Sequence, residues 1–336
     1  VSVAPLLEVR GLRKFFPVRG GALGRVVARV QAVDGIDFAV AAGETLGIVG
    51  ESGCGKSTTA RLLIRLIAPD AGELRFDGVP IADGRGLATL RRQMQMVFQD
   101  SYASLNPRLT VIDSIAFGPR AHGLDTTAAR ARAAALLDRV GLSPERFAGR
   151  YPHELSGGQR QRVNIARALA LEPRLLILDE AVSALDKSIE AQILNLLVEL
   201  KASLGLTYVF ISHDLDVVRF VSDRVMVMYL GKVVEIGDVE TIWNEPRHPY
   251  TAALLAAMPS TDPDRRTETA PLSGDPPSPI DPPSGCRFHT RCPQAAPVCA
   301  RVAPILRPAG IRRQVACHLD DAAAGHPGAS SRRETT

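Results

Sequence analysis

At 336 residues, with 46% apolar and 23% charged residues, the chain has length for about two folded domains and a composition neither fibrous nor disordered. The net charge of +4 is mild, and 35 of the 40 basic residues are Arg dispersed among acids, so no nucleic-acid-binding stripe is expected. No run approaches the ~18 consecutive apolar residues of a membrane-spanning helix.

The first five residues, Val1 to Pro5, lack the charged and apolar regions of a signal peptide, so a cytosolic setting is expected unless a partner holds the chain at a membrane. Leu6 to Arg10 reads as a strand, followed by a turn and the pair Phe15-Phe16. The Gly/Arg-rich stretch from Arg19 to Arg29 reads as an exposed loop. Strands are expected at Ala32–Val40 and Glu44–Val49, then a helix over Thr58–Ile67 ended by Pro69 and Gly72. Helical pattern dominates from about 105 to 170. Short apolar runs at Leu175–Leu178, Tyr208–Ile211 and Val225–Met228 read as strands buried on both faces of a parallel sheet. Strands separated by helices imply an α/β core. Eight prolines between Pro259 and Pro283 predict an extended linker, and the polar end from Asp320 to Thr336 predicts disorder.

Gly50-Glu51-Ser52-Gly53-Cys54-Gly55-Lys56-Ser57 matches the phosphate-loop pattern between a strand and a helix. Its glycines let several N–H groups converge on one anion at a helix N-terminus. Lys56 would reach the β/γ-phosphates, and Ser57 would ligate Mg²⁺. Cys54 is a small filler within the loop. Leu175 to Leu178 ends in Asp179-Glu180, which a doubly buried strand can deliver only at its C-terminal edge. There Asp179 can meet Mg²⁺, and Glu180 can polarise the attacking water as general base. Leu155-Ser156-Gly157-Gly158-Gln159, followed by the helical run Arg160–Ala170, forms a second anion-binding helix start. One nucleotide cannot easily use both, so the second should serve a nucleotide on another subunit. A simple helix start with Ser156 as N-cap would satisfy the same residues.

With these segments in order, the sequence resembles the ATP-binding subunits of ABC transporters over about residues 6–319. The resemblance implies an ABC-type P-loop NTPase of α/β class with a helical signature subdomain and a small Cys-rich C-terminal extension. It assigns Gly50 to Thr58 to the Walker A loop and helix start, with Ser52, Gly53 and Gly55 among the phosphate-binding positions. Gln99 matches the Q-loop residue of the metal and water shell. Leu155 to Gln159 matches the signature, and Ser183-Ala184-Leu185-Asp186 the D-loop. His213 matches the switch residue on the γ-phosphate, and Phe16, with Phe15 as rival, the aromatic that stacks on adenine. Ala181-Val182 departs from the family's usual Pro-Thr without removing any chemistry. Together with Gln99 to Pro107, it resembles one of two non-identical ATPases of oligopeptide/dipeptide importers.

His248-Pro249-Tyr250-Thr251, then Cys286 and Arg291-Cys292-Pro293, is similar to the extension of that subfamily. Four of the five cysteines (Cys286, Cys292, Cys299 and Cys317) lie in the last 51 residues, spaced C-x₅-C-x₆-C-x₁₇-C. Four thiolates suit a 4Fe–4S cluster or tetrahedral Zn²⁺, and the absence of tight C-x₂-C knuckles favours the cluster. His289 and His318 are alternative ligands. The implied division is an ATPase domain at 1–245 with a helical subdomain at about 100–170, the extension at 246–319 and a disordered tail at 320–336. The implied protein is an ATPase peripheral to the cytoplasmic face of the membrane. It pairs with a second ATPase subunit, two transmembrane permeases and, indirectly, an external solute-binding protein, and it drives peptide uptake. Related importers carry nickel or glutathione, and a soluble non-transport ABC ATPase is the more distant alternative.

Overall fold

A computed structural model of the chain describes residues 4–20, 24–81, 85–258 and 274–329. The chain starts with strands β1 (Leu7–Gly20), β2 (Arg25–Val40) and β3 (Thr45–Val49), then helix α1 (Lys56–Leu63). Next come β4 (Ala71–Phe76), β5 (Val79–Pro80), α2 (Arg85–Gln93) and β6 (Met94–Val97). Helices α3 (Val111–Ala121), α4 (Thr126–Arg139), α5 (Pro144–Phe147) and α6 (Gly157–Leu169) follow. The alternation then resumes with β7 (Leu175–Asp179), α7 (Lys187–Leu204), β8 (Thr207–Ile211), α8 (Leu215–Val221), β9 (Arg224–Tyr229) and β10 (Lys232–Asp238). Helices α9 (Val239–Asn244), α10 (Pro249–Ala256) and α11 (Pro297–Arg301) and strands β11 (Arg307–Pro308) and β12 (Gln314–Val315) complete the regular elements.

These residues form two compact units. One is built from the described residues of Val1–Leu7, Val40–Thr45 and Arg75–Ser212, the other from those of Glu8–Ala39, Leu46–Leu74 and His213–Thr336. In the first unit β6, β7 and β8 pair in parallel, with Met94 opposite Leu175 and Leu175 opposite Thr207. Every residue of β7 and β8 is buried, as the unalternated apolar runs predict. Helices α3 and α4 of this unit begin at side-chain caps. Thr110 accepts from the Asp113 N–H, and Asp125 accepts from those of Thr127 and Ala128.

In the second unit β3 runs parallel to β9, and β9 pairs antiparallel with β10. β10 then pairs antiparallel with β12, Glu235 lying opposite Val315. Strands β2, β1 and β4 lie side by side in that order. Gly47 of β3 leaves room for α8, since a Cβ there would stand 2.5 Å from Val218 Cγ1.

Several sequence expectations are corrected. β1 does not turn before Phe15-Phe16 but runs through them to Gly20, and β2 starts at Arg25, so Arg19 to Arg29 is not one exposed loop. The solvated outer end of β2, with Val26 and Val27 half or more exposed, carries none of the apolar alternation that betrays a strand. Helix α1 stops at Leu63, because Arg65 takes a left-handed conformation (φ 56°). Residues 320–329 of the expected disordered tail are folded into two short 3₁₀ turns. Asp321 caps the first, and His326 is buried with Nε2 2.9 Å from Gln294 O. Residues 330–336 lie outside the described residues, as does 259–273 of the expected linker. The described end of that linker is tied down, the Gln31 N–H donating to Pro279 O at 2.9 Å.

Candidate functional site

The second unit holds the phosphate loop between β3 and α1. Gly50 (φ 148°), Gly53 (φ 77°) and Gly55 (φ 109°) all adopt conformations that L side chains resist. A Cβ on Gly50 would lie 2.2 Å from Met228 O, and one on Gly55 2.2 Å from Ala32 O, so the backbone is packed to a shape only glycine allows. Lys56 begins α1, is 5% exposed, and turns its ammonium onto the carbonyls of Gly50 and Glu51 at 2.7 and 3.1 Å. A buried lysine held by two loop carbonyls and, at 3.9 Å, by the Cys54 sulfur, with no acid among the described residues paired to it, is a cation kept in place for an anion. Ser57 and Thr58 follow in the first turn. Ser52 stands exposed at the rim, and Cys54 fills the floor, where burial pushes its thiol pKa up. Phe16, on β1, is 37% exposed, with the Lys14 ammonium 5.6 Å from its ring centre; Phe15 is half-buried and its N–H is held by Asp70. His213 is exposed, just ahead of α8.

The first unit holds the acids. Asp179 ends β7 and is 3% exposed. Glu180, the next residue, adopts a left-handed backbone (φ 48°), with its N–H held by Ile211 O at 2.9 Å. A non-glycine residue in that region costs ~1–3 kcal/mol and persists where its surroundings impose it. The twist sends the Glu180 carboxylate to Gln99, whose Nε2 donates to Oε2 at 2.8 Å. Two residues the sequence singled out separately, 81 positions apart, are thus brought together.

The signature segment lies in the same unit. Ser156 caps α6, accepting the Gln159 N–H at 3.3 Å, and Gln159 Oε1 accepts the Ser156 N–H at 3.0 Å. The capped helix start is therefore real, and it presents Gly157 and Gly158 at a helix N-terminus. Gly158 is pressed against α7; a Cβ there would stand 2.5 Å from Ile189 Cγ2. Asn164 of α6 donates to Ser101 O at 2.9 Å, and Arg167 to Ser104 O, so the signature helix grips the turn just after Gln99.

The chain is 51% identical over 320 residues to the oligopeptide transport ATP-binding protein AppF of Bacillus subtilis, covering 94% of this chain and 97% of that protein. The probable peptide ABC transporter ATP-binding protein y4tS of Sinorhizobium fredii is 52% identical over 327 residues, covering 96% and 92%. This chain belongs to the ABC transporter ATP-binding subunits of the oligopeptide/dipeptide type. The ABC transporter family model matches residues 33–183, and the oligopeptide/dipeptide transporter C-terminal region matches 234–299. Among solved structures, cbiO1 of Clostridium perfringens, part of the ABC transporter complex cbiONQ, is 33% identical over 72% of this chain and 91% of its own, with TM-score 0.62. The cassette MJ0796, in a dimeric post-hydrolysis state bound to ADP and Pi, is 30% identical over 69% and 98%, with TM-score 0.60. The fold is that of an ABC ATPase, ATP is its substrate, and Mg²⁺ is the expected metal.

The peptide-type extension brings its four cysteines together. Cys286, Cys292, Cys299 and Cys317 line one cavity of ≈ 10 Å³ with His289 and His318, and none forms a disulfide. Burial pushes the Cys286 thiol up to about 11, with Cys299 and Cys292 adding to the shift. His318 Nδ1 is buried without a hydrogen-bond partner while its Nε2 lies 2.8 Å from Val302 O. Among the described residues, however, no group of three or more His, Cys, Asp or Glu is arranged to hold a metal ion. The expected cluster or zinc site is thus present as a donor set, not as a coordination sphere.

Sequence reasoning missed the partners of the phosphate loop. Glu51 meets Arg291 and Tyr250, and Arg287 meets Asp34 at 2.7 Å, pairs separated by about 200 or more positions that no local spacing reveals. The available signal was the arginine next to Cys292.

Proposed function

We propose that this subunit hydrolyses ATP in a head-to-tail dimer with a second ATPase, at the cytoplasmic face of the membrane, to drive uptake of di- or oligopeptides through two permease subunits. The observation that carries the dimer is the pair of anion cradles, one in each unit, of which only the loop ending in Lys56 has a buried lysine. The cradle at Ser156, Gly157, Gly158 and Gln159 supplies dipole and amides alone, the complement wanted by phosphates already held by another chain's lysine. The names of the relatives support peptides as cargo.

The roles that family membership suggests for these residues follow from charge. The amides around Gly53 and Gly55, with Lys56, Ser57 and Thr58, hold the phosphates, and Phe16 stacks on the base. Ser57 and Asp179 would hold Mg²⁺, with Gln99 in its water shell; the metal supplies charge neutralisation on the β/γ oxygens. Glu180, held by Gln99, would take the proton of the attacking water, and His213 would hold the γ-phosphate, as the resemblance implies. Positioning and charge neutralisation suffice for in-line transfer.

The extension would hold a 4Fe–4S cluster, with zinc as alternative. Four thiols among the residues lining one cavity, and a buried His318 nitrogen lacking a partner, support a soft-metal centre that would need these donors to draw closer, since no three of them now stand within reach of one ion. Stoichiometric iron and acid-labile sulfide in anaerobically purified protein would support the cluster; zinc without iron would end that reading.

The transport reading is tested in proteoliposomes containing both ATPases and both permeases, with ATP-driven uptake of labelled peptides, nickel and glutathione compared. Ser156→Arg should abolish turnover of the assembly while this chain's own ATP affinity stays within about twofold. Wild-type turnover in Ser156→Arg would overturn the shared-site reading, and uptake of nickel or glutathione alone would reassign the cargo.

A further inference from the structure

The phosphate loop carries an acid of its own. Glu51 is its second residue, and a carboxylate beside a triphosphate site repels the ligand. In this structure that charge is paired. Arg291 donates from Nη1 to Glu51 Oε2 at 2.7 Å and from Nη2 to Oε1 at 3.0 Å, a two-pronged contact in which the arginine side chain is only 6% exposed. Tyr229 fixes the guanidinium, its hydroxyl 3.3 Å from Nη1 and its ring centre 5.9 Å from the guanidinium carbon. The backbone of Glu51 is also held, its N–H donating to the buried Tyr250 hydroxyl at 2.8 Å.

Both partners come from the C-terminal extension. Tyr250 lies in α10, and Arg291 directly precedes Cys292. The segment from Cys286 to Cys292 is fixed at three points. Arg287 binds Asp34 at 2.7 Å, Phe288 is buried with its ring centre 5.3 Å from those of both Tyr229 and Tyr250, and Arg291 binds Glu51. A planar fork gripping both carboxylate oxygens is a geometry that lysine cannot reproduce.

We propose that Arg291 is a positioning residue of the ATP site, supplied by the extension to neutralise Glu51 and hold the mouth of the phosphate loop in its anion-accepting shape. This rests on the assignment of that loop to ATP. It makes nucleotide affinity depend on a residue adjoining the four-thiol cavity, whether or not that cavity is filled.

The test is the dissociation constant of Mg-ATP, measured by equilibrium dialysis on the full chain as a function of salt. Arg291→Gln leaves the Glu51 charge unpaired and should weaken binding about tenfold at low salt, a change of ~1.4 kcal/mol. The loss should shrink as salt screens the repulsion. Removing the acid as well, in Glu51→Gln/Arg291→Gln, should recover affinity to within about threefold of wild type, a rescue that damage to packing would not give. Arg291→Lys should lie between, and Arg219→Gln, which removes a surface pair with Glu240, should bind as wild type. The proposal is overturned if Arg291→Gln binds as wild type, or if the double variant binds no better than Arg291→Gln. Should Arg291→Gln fail to fold, Arg291→Lys against Glu51→Gln/Arg291→Lys reads the same contrast. Failure of the wild-type chain to bind Mg-ATP would sink the site assignment instead.

Discussion

Arg313→Met should be among the most destabilising single substitutions in the second unit. Glu235 in β10 is completely buried, and Arg313, 2% exposed at its side chain, donates to its Oε1 from both Nε (3.0 Å) and Nη2. The second Arg313 contact, to Glu245 O, ties the chain ahead of β12 to the end of α9. Deleting one partner of a buried pair costs ~3–5 kcal/mol, because the remaining charge stays out of water. Here the N–H groups of Arg247 and His248 still reach Glu235, at 3.1 and 3.0 Å, so the expected loss lies near ~3 kcal/mol. That is a large share of the ~5–15 kcal/mol typical of a domain. Urea unfolding followed by Trp243, the chain's one tryptophan, reads this unit directly. Arg313→Met/Glu235→Gln should recover part of the loss, since a neutral amide no longer buries a charge. The exposed Arg10→Met serves as control, with an unchanged midpoint. A loss below ~1 kcal/mol for Arg313→Met would refute the reasoning, because it would mean that Glu235 is not charged and dependent on Arg313 in the folded chain.

Three further outcomes are expected. Glu180→Gln should keep ATP binding while phosphate release by the assembled transporter falls at least ~100-fold; ordinary turnover would remove Glu180 as base. Gly158→Ala pushes a methyl into Ile189 and should cost ~1–3 kcal/mol, with turnover lost and both recovered by adding Ile189→Ala; an unaffected thermal midpoint would contradict the packing at α7. For Asp34, burial raises the carboxyl pKa, but Lys232, Arg287 and Arg13 outweigh it and hold the group below its ordinary value. A depressed acid stabilises the folded state above its unfolded pKa of ~3.9, and that contribution is lost as pH falls toward the folded value. Asp34→Asn should therefore flatten the acid limb of a stability–pH curve, and an unchanged slope would exclude Asp34 from it.

The parts of the site legible in the sequence are those whose chemistry is carried by neighbours in the chain. Gly50 to Ser57 announces itself because a phosphate cradle needs its glycines and lysine at fixed offsets, and Asp179-Glu180 because a doubly buried strand can end in acids only at its edge. The parallel strands β7, β8 and β9 were legible for the same reason. β1 and β2 were legible only at Leu6–Arg10 and Ala32–Val40: their outer ends face water on both sides, so composition there resembles a loop. The folded turns at 320–329 were equally hidden, because polar residues such as Asp321 and His326 do their work through capping and through hydrogen bonds to the backbone of Gln294 and Gly328, not through a hydrophobic pattern. Glu51 with Arg291 and Glu235 with Arg313 join positions 240 and 78 apart, and only the fold brings them into contact.

Those long-range pairs change what the extension is. A peripheral module would contact the rest of its unit through a linker and an exchangeable surface. Here the last strand pair adds to β10, Arg313 neutralises an acid wholly inside the unit, and Phe288 packs against both Tyr229 and Tyr250, whose rings also touch each other. Tyr229 closes β9, the strand that runs parallel to β3, and β3 leads into the phosphate loop. The cysteine-bearing segment therefore packs on the same strands that set the loop's shape. Whatever alters the spacing of its thiols must be absorbed by the aromatic cluster, which is fully buried and close-packed, or by the Arg287–Asp34 and Arg291–Glu51 contacts. Close-packed cores resist continuous deformation, so the two ion pairs, one of them at the loop, are the elements with freedom to give.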